Sequence, residues 1–168
     1  MRHFLLLTFA VGALAQDAKF YRLDFTVKEV EDNKVLSAKK YTAISTTDEK
    51  LSGATIRAGS KVPYQTGSIQ ASANSPLVPT HFQYVDVGVN IDVNFIREVG
   101  GQLMIRVNSE ISSVPASDGP ISTQPLIRQN RWHSTTTVEI GKATTLFSSD
   151  DLNSKRKMQL ELTATLVK

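Results

Sequence analysis

Cysteine is absent from the chain, so no disulfide, thiolate nucleophile or Cys-based zinc site contributes here, and burial and strand pairing must supply the stability. Histidine is nearly absent too. Beyond His3 only His81 and His133 occur, and no segment has the His-x-x-x-His spacing that places two ligands on one helix face. The sequence therefore assigns no metal site and no cofactor. Ser113, Ser134 and Ser149 lie in Ser/Thr-rich surroundings without a Gly-x-Ser-x-Gly elbow. Adjacent Asp150 and Asp151 point in different directions, which suits a helix cap better than an acid–base pair. Gly59, Gly100-Gly101 and Gly141 open no helix, so they read as turn residues rather than a phosphate loop. No catalytic, cofactor-binding or metal-binding residue is assigned, and the chain reads as a non-enzyme.

Excess charge of one sign is also missing. The formal charge is +3 with 21% charged residues, and removing Arg2 with a leader leaves +2, a mixed balance that does not imply nucleic acid. The short runs Lys39-Lys40 and Lys155-Arg156-Lys157 read as solvated surface. Trp132, the single tryptophan, either stacks at a wet interface beside Arg131 and His133 or packs in the core or its rim.

No apolar run reaches the roughly 20 residues that a membrane-crossing helix needs. The longest, Phe4 to Leu14, follows the positive Met1-Arg2-His3 and ends at the small-x-small site Ala13-Leu14-Ala15, the pattern of a Sec-type signal peptide spanning residues 1–15. Residues 16–168 are then expected to form one exported domain without an N-terminal anchor.

What the sequence does have is period-two alternation, the pattern of strands whose two faces meet different surroundings. Tyr21, Leu23, Phe25 and Val27 share one face, and a polar turn at residues 31–33 leads into a second strand, Lys34 to Ser45. Ala54–Arg57 and Val62–Gln65 read as two short strands around a Gly59 turn. Val85, Val87, Val89, Ile91, Val93 and Phe95 alternate with polar residues in the clearest strand, Phe82 to Ile96, which pairs with Leu103–Ile111. A three-residue loop, Val99-Gly100-Gly101, would pair Val93 with Val107, Phe95 with Ile105 and Asn90 with Glu110. Leu126–Arg131 leads into a strand around Val138, and Gly141-Lys142 would turn it into Ala143–Phe147 as a third hairpin. Ser148–Lys157 reads as polar with one capped helical turn. The last strand puts Met158, Leu160, Leu162, Ala164 and Leu166 on one face. Gly67–Pro79 and Ser112–Pro125 are long Ser/Pro-rich loops. The fold class is all-β, antiparallel hairpins forming a sheet or sandwich.

From Gly59 onward, most strongly over 59–168, the order of motifs resembles the C-terminal domain of the bacterial secretins, the ring-forming channels of type II and type III secretion and type IV pili. Gly59-Ser60-Lys61-Val62-Pro63 is similar to the family's Gly-x-x-Val-Pro, and Val85-Asp86-Val87-Gly88-Val89-Asn90-Ile91-Asp92-Val93 to its Val-Gly-x-x-Leu-x-Val strand. Glu110-Ile111-Ser112-Ser113-Val114 resembles its Glu-Val-Ser-Ser-Val, and Arg128 with Thr135-Thr136-Thr137-Val138-Glu139-Ile140-Gly141 the stretch that follows. Asn94 stands where the family has Pro, Phe147-Ser148-Ser149 where it has the Gly-Gly that begins the gate, and Thr163-Ala164 where it has Thr-Pro. The resemblance implies a shortened secretin domain without gate or periplasmic ring domains. It also implies a role in protein secretion, with copies of itself or other envelope secretion proteins as partners, in the periplasm or outer membrane of a Gram-negative-type bacterium. A monomeric periplasmic β-sandwich acting as a binding or adaptor module is the alternative.

Overall fold

The computed structural model describes residues 18–67, 81–114, 126–151 and 154–168. The leader expected at 1–15 and most of the two Ser/Pro-rich loops (68–80 and 115–125) lie outside the described residues. Eight strands follow one another: β1 Phe20–Glu31, β2 Lys34–Thr46, β3 Ala54–Gly67, β4 His81–Val99, β5 Gln102–Ser113, β6 Arg128–Glu139, β7 Ala143–Asp150 and β8 Arg156–Leu166. They form two four-stranded antiparallel sheets, ordered β2-β1-β8-β7 and β3-β4-β5-β6. The first sheet thus joins both ends of the described chain, and the second is a plain meander of its middle. All-β architecture follows from the alternation, and helix is absent among the described residues.

Alternation decides what each face buries. Tyr21, Leu23 and Phe25 of β1 and Leu160, Leu162 and Ala164 of β8 are fully buried against Ile91, Val93, Leu103, Ile105, Val107 and Val138 of the other sheet. Their β1 neighbours Arg22, Asp24 and Thr26 face outward. The β1–β2 hairpin turns at Asp32 and Asn33, both in the left-handed region with φ 47° and 65°, a two-residue turn whose twist matches the strands it joins.

Four local expectations are corrected. Gly59 makes no turn: β3 runs unbroken through it, and Gly59 lies opposite Gly88 of β4. A Cβ on Gly59 would sit 2.3 Å from the Val87 carbonyl oxygen, and one on Gly88 would sit 2.2 Å from that of Ala58, so glycine here permits close backbone approach. Pro63 is tolerated in β3 because this strand is an edge. The β4–β5 turn has two residues, Gly100 and Gly101 at φ 59° and 78°, with Val99 opposite Gln102. Val93 still meets Val107 and Asn90 meets Glu110, because a bulge between Val93 and Phe95 absorbs one residue. Beyond the bulge the faces exchange: Phe95 sits opposite Arg106, and Ile96, opposite Ile105, is fully buried instead.

The third and fourth corrections concern the chain after β6. Gly141-Lys142 is not a hairpin turn, since β6 belongs to the meander and β7 to the other sheet. The turn carries the chain between layers, and the Gly141 N–H donates to the Ala164 carbonyl at 2.8 Å. Nor do the aspartates cap a helical turn. Asp150 ends β7, and the Asp151 N–H donates to the Arg156 carbonyl across the β7–β8 hairpin at 2.8 Å.

One polar tie crosses between the layers. The buried Tyr21 of β1 donates its hydroxyl to Glu98 Oε2 of β4 at 2.8 Å, and Lys19 Nζ donates to the same oxygen at 2.7 Å. Burial first, then the bond to Glu98, pushes the Tyr21 phenol up to about 12. The Lys19 and Tyr21 donors hold the Glu98 carboxyl below its ordinary value of 4.5. Glu98→Ala leaves a buried hydroxyl without its acceptor, so a loss of about 1–3 kcal/mol is expected. Because the carboxyl is depressed in the folded state, this contribution is present above the ordinary glutamate range and is lost as pH falls through it. The raised phenol acts at the other limit: its contribution is present below pH 10 and disappears as pH rises from 10 to about 12. Thermal melts of the native chain and Glu98→Ala should therefore differ most near neutrality and converge in acid. A gap that persists unchanged as pH falls well below the ordinary glutamate range would contradict the assignment.

Candidate functional site

The outward face of each sheet is charged. On the β2-β1-β8-β7 sheet Lys28 pairs with Glu161 at 2.6 Å and Arg22 with Asp24 at 3.0 Å. On the meander Arg57 grips both Asp92 oxygens at 2.8 and 2.9 Å, Arg131 pairs with Glu110 at 2.9 Å, and Lys61 with Asp86 at 3.1 Å. Arg22 and Asp24 lie along β1, while the other pairs join neighbouring strands and stabilise a solvated sheet modestly.

The residues that composition singled out do not converge. His81 starts β4, while His133 lies on β6 against Asn108, in the row of Asp92. Eleven residues of strand, roughly 35 Å, separate His81 from that row. Ser134 and Ser149 donate to the backbone carbonyls of Thr135 and Asp150. Asp150 pairs with Lys157, and Asp151 accepts from Arg128 at 2.7 Å and from Ser154 at 2.8 Å. Arg156, whose guanidinium is held charged by Glu29 and then Glu31, spans both on β1. Two of the three cations in the Lys155–Lys157 run thus already face acids. Among the described residues no three His, Asp or Glu side chains come together as a metal site. Trp132 points inward at the β6 rim, its ring 6.4 Å from that of Phe147 on β7.

Concavity is found where the two sheets splay. A groove of about 620 Å³ opens between them, walled by Val27, Tyr41, Val62, Val87, Ile111 and Met158 with Lys39 and Ser112 among its polar members. A neighbouring hollow of about 450 Å³ shares Glu29, Ser113 and Met158 with it and adds Arg128, Asp151 and Arg156. The β4–β5 ladder begins only at Val89 and Ile111, so residues 81–88 pair with β3 alone. Ser112 takes over at the divide, its Oγ accepting the Gly88 N–H at 3.0 Å. Beyond it the β3–β4 ribbon exposes Phe82 and Tyr84, 56% and 64% accessible, an apolar patch on an otherwise charged face. Sequence reasoning placed a turn at Gly59 and so missed this ribbon. The facing glycines of two strands were the signal available. Among the described residues His81, His133, Ser134 and Ser149 do not line either of these hollows together.

No protein-family model and no curated protein sequence matches the chain. Solved structures do. The Salmonella SPI-1 type III secretion injectisome secretin InvG aligns over 90% of this chain and 64% of its own, with 9% identity and a TM-score of 0.50. ExeD of Aeromonas hydrophila aligns over 89% and 46%, with 10% identity and a TM-score of 0.50. A second structure, holding InvG with the basal body proteins PrgH and PrgK, gives the same TM-score over 90% of this chain and 45% of that one. The chain therefore spans less than two thirds of the structures it matches, and at such identities the likeness is one of fold.

Proposed function

Starting from the secretin-domain fold of this chain, we propose that it is a non-enzymatic, oligomeric component of a protein-secretion or pilus-type assembly in the bacterial envelope, exported through a leader at 1–15 as a single domain over 16–168. The observation that carries this reading is the state of the sheet edges. β2, β3 and β6 are edge strands of 13, 14 and 12 residues, and β7 adds 8 more. Among the described residues these edges pair with no further strand, and long open edges are what monomeric β proteins avoid and what lateral assembly uses. Both broad faces carry ion pairs, whereas a lipid-facing barrel wall needs an apolar band about 25 Å tall. In this reading the described sheets stand in water, and contact with the outer membrane falls to other parts of the assembly.

The alternative, a monomeric periplasmic adaptor, draws on the inter-sheet groove, whose volume suits a ligand or a peptide segment. Electron microscopy and membrane fractionation of the chain purified without its first 15 residues separate the two. Rings or regular multimers that resist heating in detergent are expected. A monomer confined to the aqueous fraction would overturn the assembly reading in favour of the adaptor.

A further inference from the structure

Strand alternation splits the Lys39-Lys40 doublet between two environments. Lys40 stands opposite Thr26 on the outward face of its sheet, whereas Lys39 stands opposite Val27, on the face that meets the other layer. Two residues on, Tyr41 shares that inward face opposite buried Phe25. Lys39 and Tyr41 both line the groove of about 620 Å³ between the sheets, whose apolar walls are Val27, Val62, Val87 and Ile111. The gap persists because small side chains meet at this rim: Ser37 of β2 and Ala58 and Ser60 of β3 occupy inward register positions where larger residues would close it. The other charged residues of the groove are already paired, Lys28 with Glu161 at 2.6 Å and Glu29 with Arg156 at 3.0 Å. Ser112 is engaged with the Gly88 N–H and carbonyl. Among the described residues, Lys39 meets no acid and the Tyr41 hydroxyl meets no hydrogen-bond partner.

An apolar trough with one uncompensated cation and one free hydroxyl on the same wall asks for a ligand of matching design. We propose that the groove binds a medium-chain fatty acid, its carboxylate held by the Lys39 ammonium and the Tyr41 hydroxyl and its alkyl tail laid between the layers on Val27, Val62, Val87 and Ile111. A carboxylate accepts from both donors at once, and the bond from an ammonium is of the stronger, charge-assisted kind. The volume falls in the range of small-ligand clefts. Two other occupants fit less well. A small inorganic anion would satisfy Lys39 but leave the apolar walls in water. A peptide would bring amides into a space where the strands present side chains rather than free backbone groups, and burying an amide without a partner is costly. An alkyl chain carries no polar group except at its end. The site is independent of the assembly reading, since it is complete within one copy of the chain.

Calorimetric titration of the exported chain with laurate, kept below its micelle concentration, tests the site. One laurate per chain is expected, bound about tenfold more tightly than dodecanol, its uncharged counterpart. Lys39→Met with Tyr41→Phe keeps the apolar bulk and removes both donors, so laurate should fall to the dodecanol level while dodecanol binding and the melting temperature stay unchanged. Lys39→Arg with Tyr41 intact should retain most of the laurate affinity. Ser60→Leu, on the exposed edge strand β3, should fill the groove and weaken both ligands. Equal affinity for laurate and dodecanol, or a double variant that binds laurate as before, would overturn the carboxylate site. Binding that Ser60→Leu leaves untouched would move the ligand to the exposed Phe82 and Tyr84. Displacement of laurate by an N-acetylated apolar pentapeptide at lower concentration would overturn the fatty acid in favour of a peptide. Size exclusion of the same samples keeps the two readings apart: multimers that take up no laurate sink the groove alone, and a monomer that binds it sinks the assembly alone.

Discussion

Ile96→Ala is expected to destabilise the domain by about 2–4 kcal/mol, and Phe95→Ala by only about 1 kcal/mol, although phenylalanine is the larger side chain. Truncating a buried Ile removes its transfer energy and leaves a cavity, and Ile96 is fully buried opposite Ile105. Phe95 lies on the outward face, its ring 6.0 Å from the Arg106 guanidinium, a contact worth about 0.5–1 kcal/mol at an exposed site. The bulge between Val93 and Phe95 creates this inversion. Urea unfolding of the two variants reads it out, and a larger loss at Phe95 than at Ile96 would mean that the strand continues unbulged into a three-residue loop.

Gly88→Ala should be comparably severe, at about 3 kcal/mol, for a reason unrelated to cavities. Gly88 has φ +153°, and its new Cβ would sit 2.2 Å from the Ala58 carbonyl oxygen and 2.5 Å from the Gly59 Cα. Both contacts are backbone, so relief requires the β3–β4 ribbon to separate, and overpacking of this kind typically costs 1–3 kcal/mol with backbone strain added. At about 2–4 °C per kcal/mol for a domain of this size, the melting temperature should fall by roughly 6–12 °C. Gly100→Asn is the control. Nothing lies within 4 Å of a Cβ there, and its φ of 59° is one that asparagine adopts in two-residue hairpin turns, so a change under about 1 kcal/mol is expected. Equal losses at both positions would show that the glycine pair is not a point of close approach.

The sequence disclosed strand identity better than strand connection. Alternation located Tyr21, Leu23 and Phe25 on a buried face, and likewise Leu160, Leu162 and Ala164, because a one-residue slip would expose every one of them. It paired Val93 with Val107 correctly while assigning the wrong loop, since a bulge and an added loop residue restore the same register. Periodicity cannot distinguish them. It also joined β6 to β7 as a hairpin, because a glycine turn between two apolar runs looks alike whether the chain stays in its sheet or crosses to the next. The resemblance drawn from motif order anticipated the fold that InvG and ExeD share with this chain. For the candidate surface, Trp132 was left between two roles by its polar neighbours. Only register showed that it points between the layers at a rim, information carried by β5 rather than by the residues flanking it.

The order β2-β1-β8-β7 has a consequence for how the chain reaches this state. The central meander can zip from neighbour to neighbour, but the other layer needs Tyr21 to find Leu166, partners separated by nearly the whole described chain. Contacts so distant in sequence form late and slowly, so as the chain folds the first hairpin waits with one flank of β1 uncovered until β8 joins it. The eleven-residue β8, Arg156–Leu166, is thus the latch of the two described sheets, and folding proceeds from the meander outward to β1 and β8.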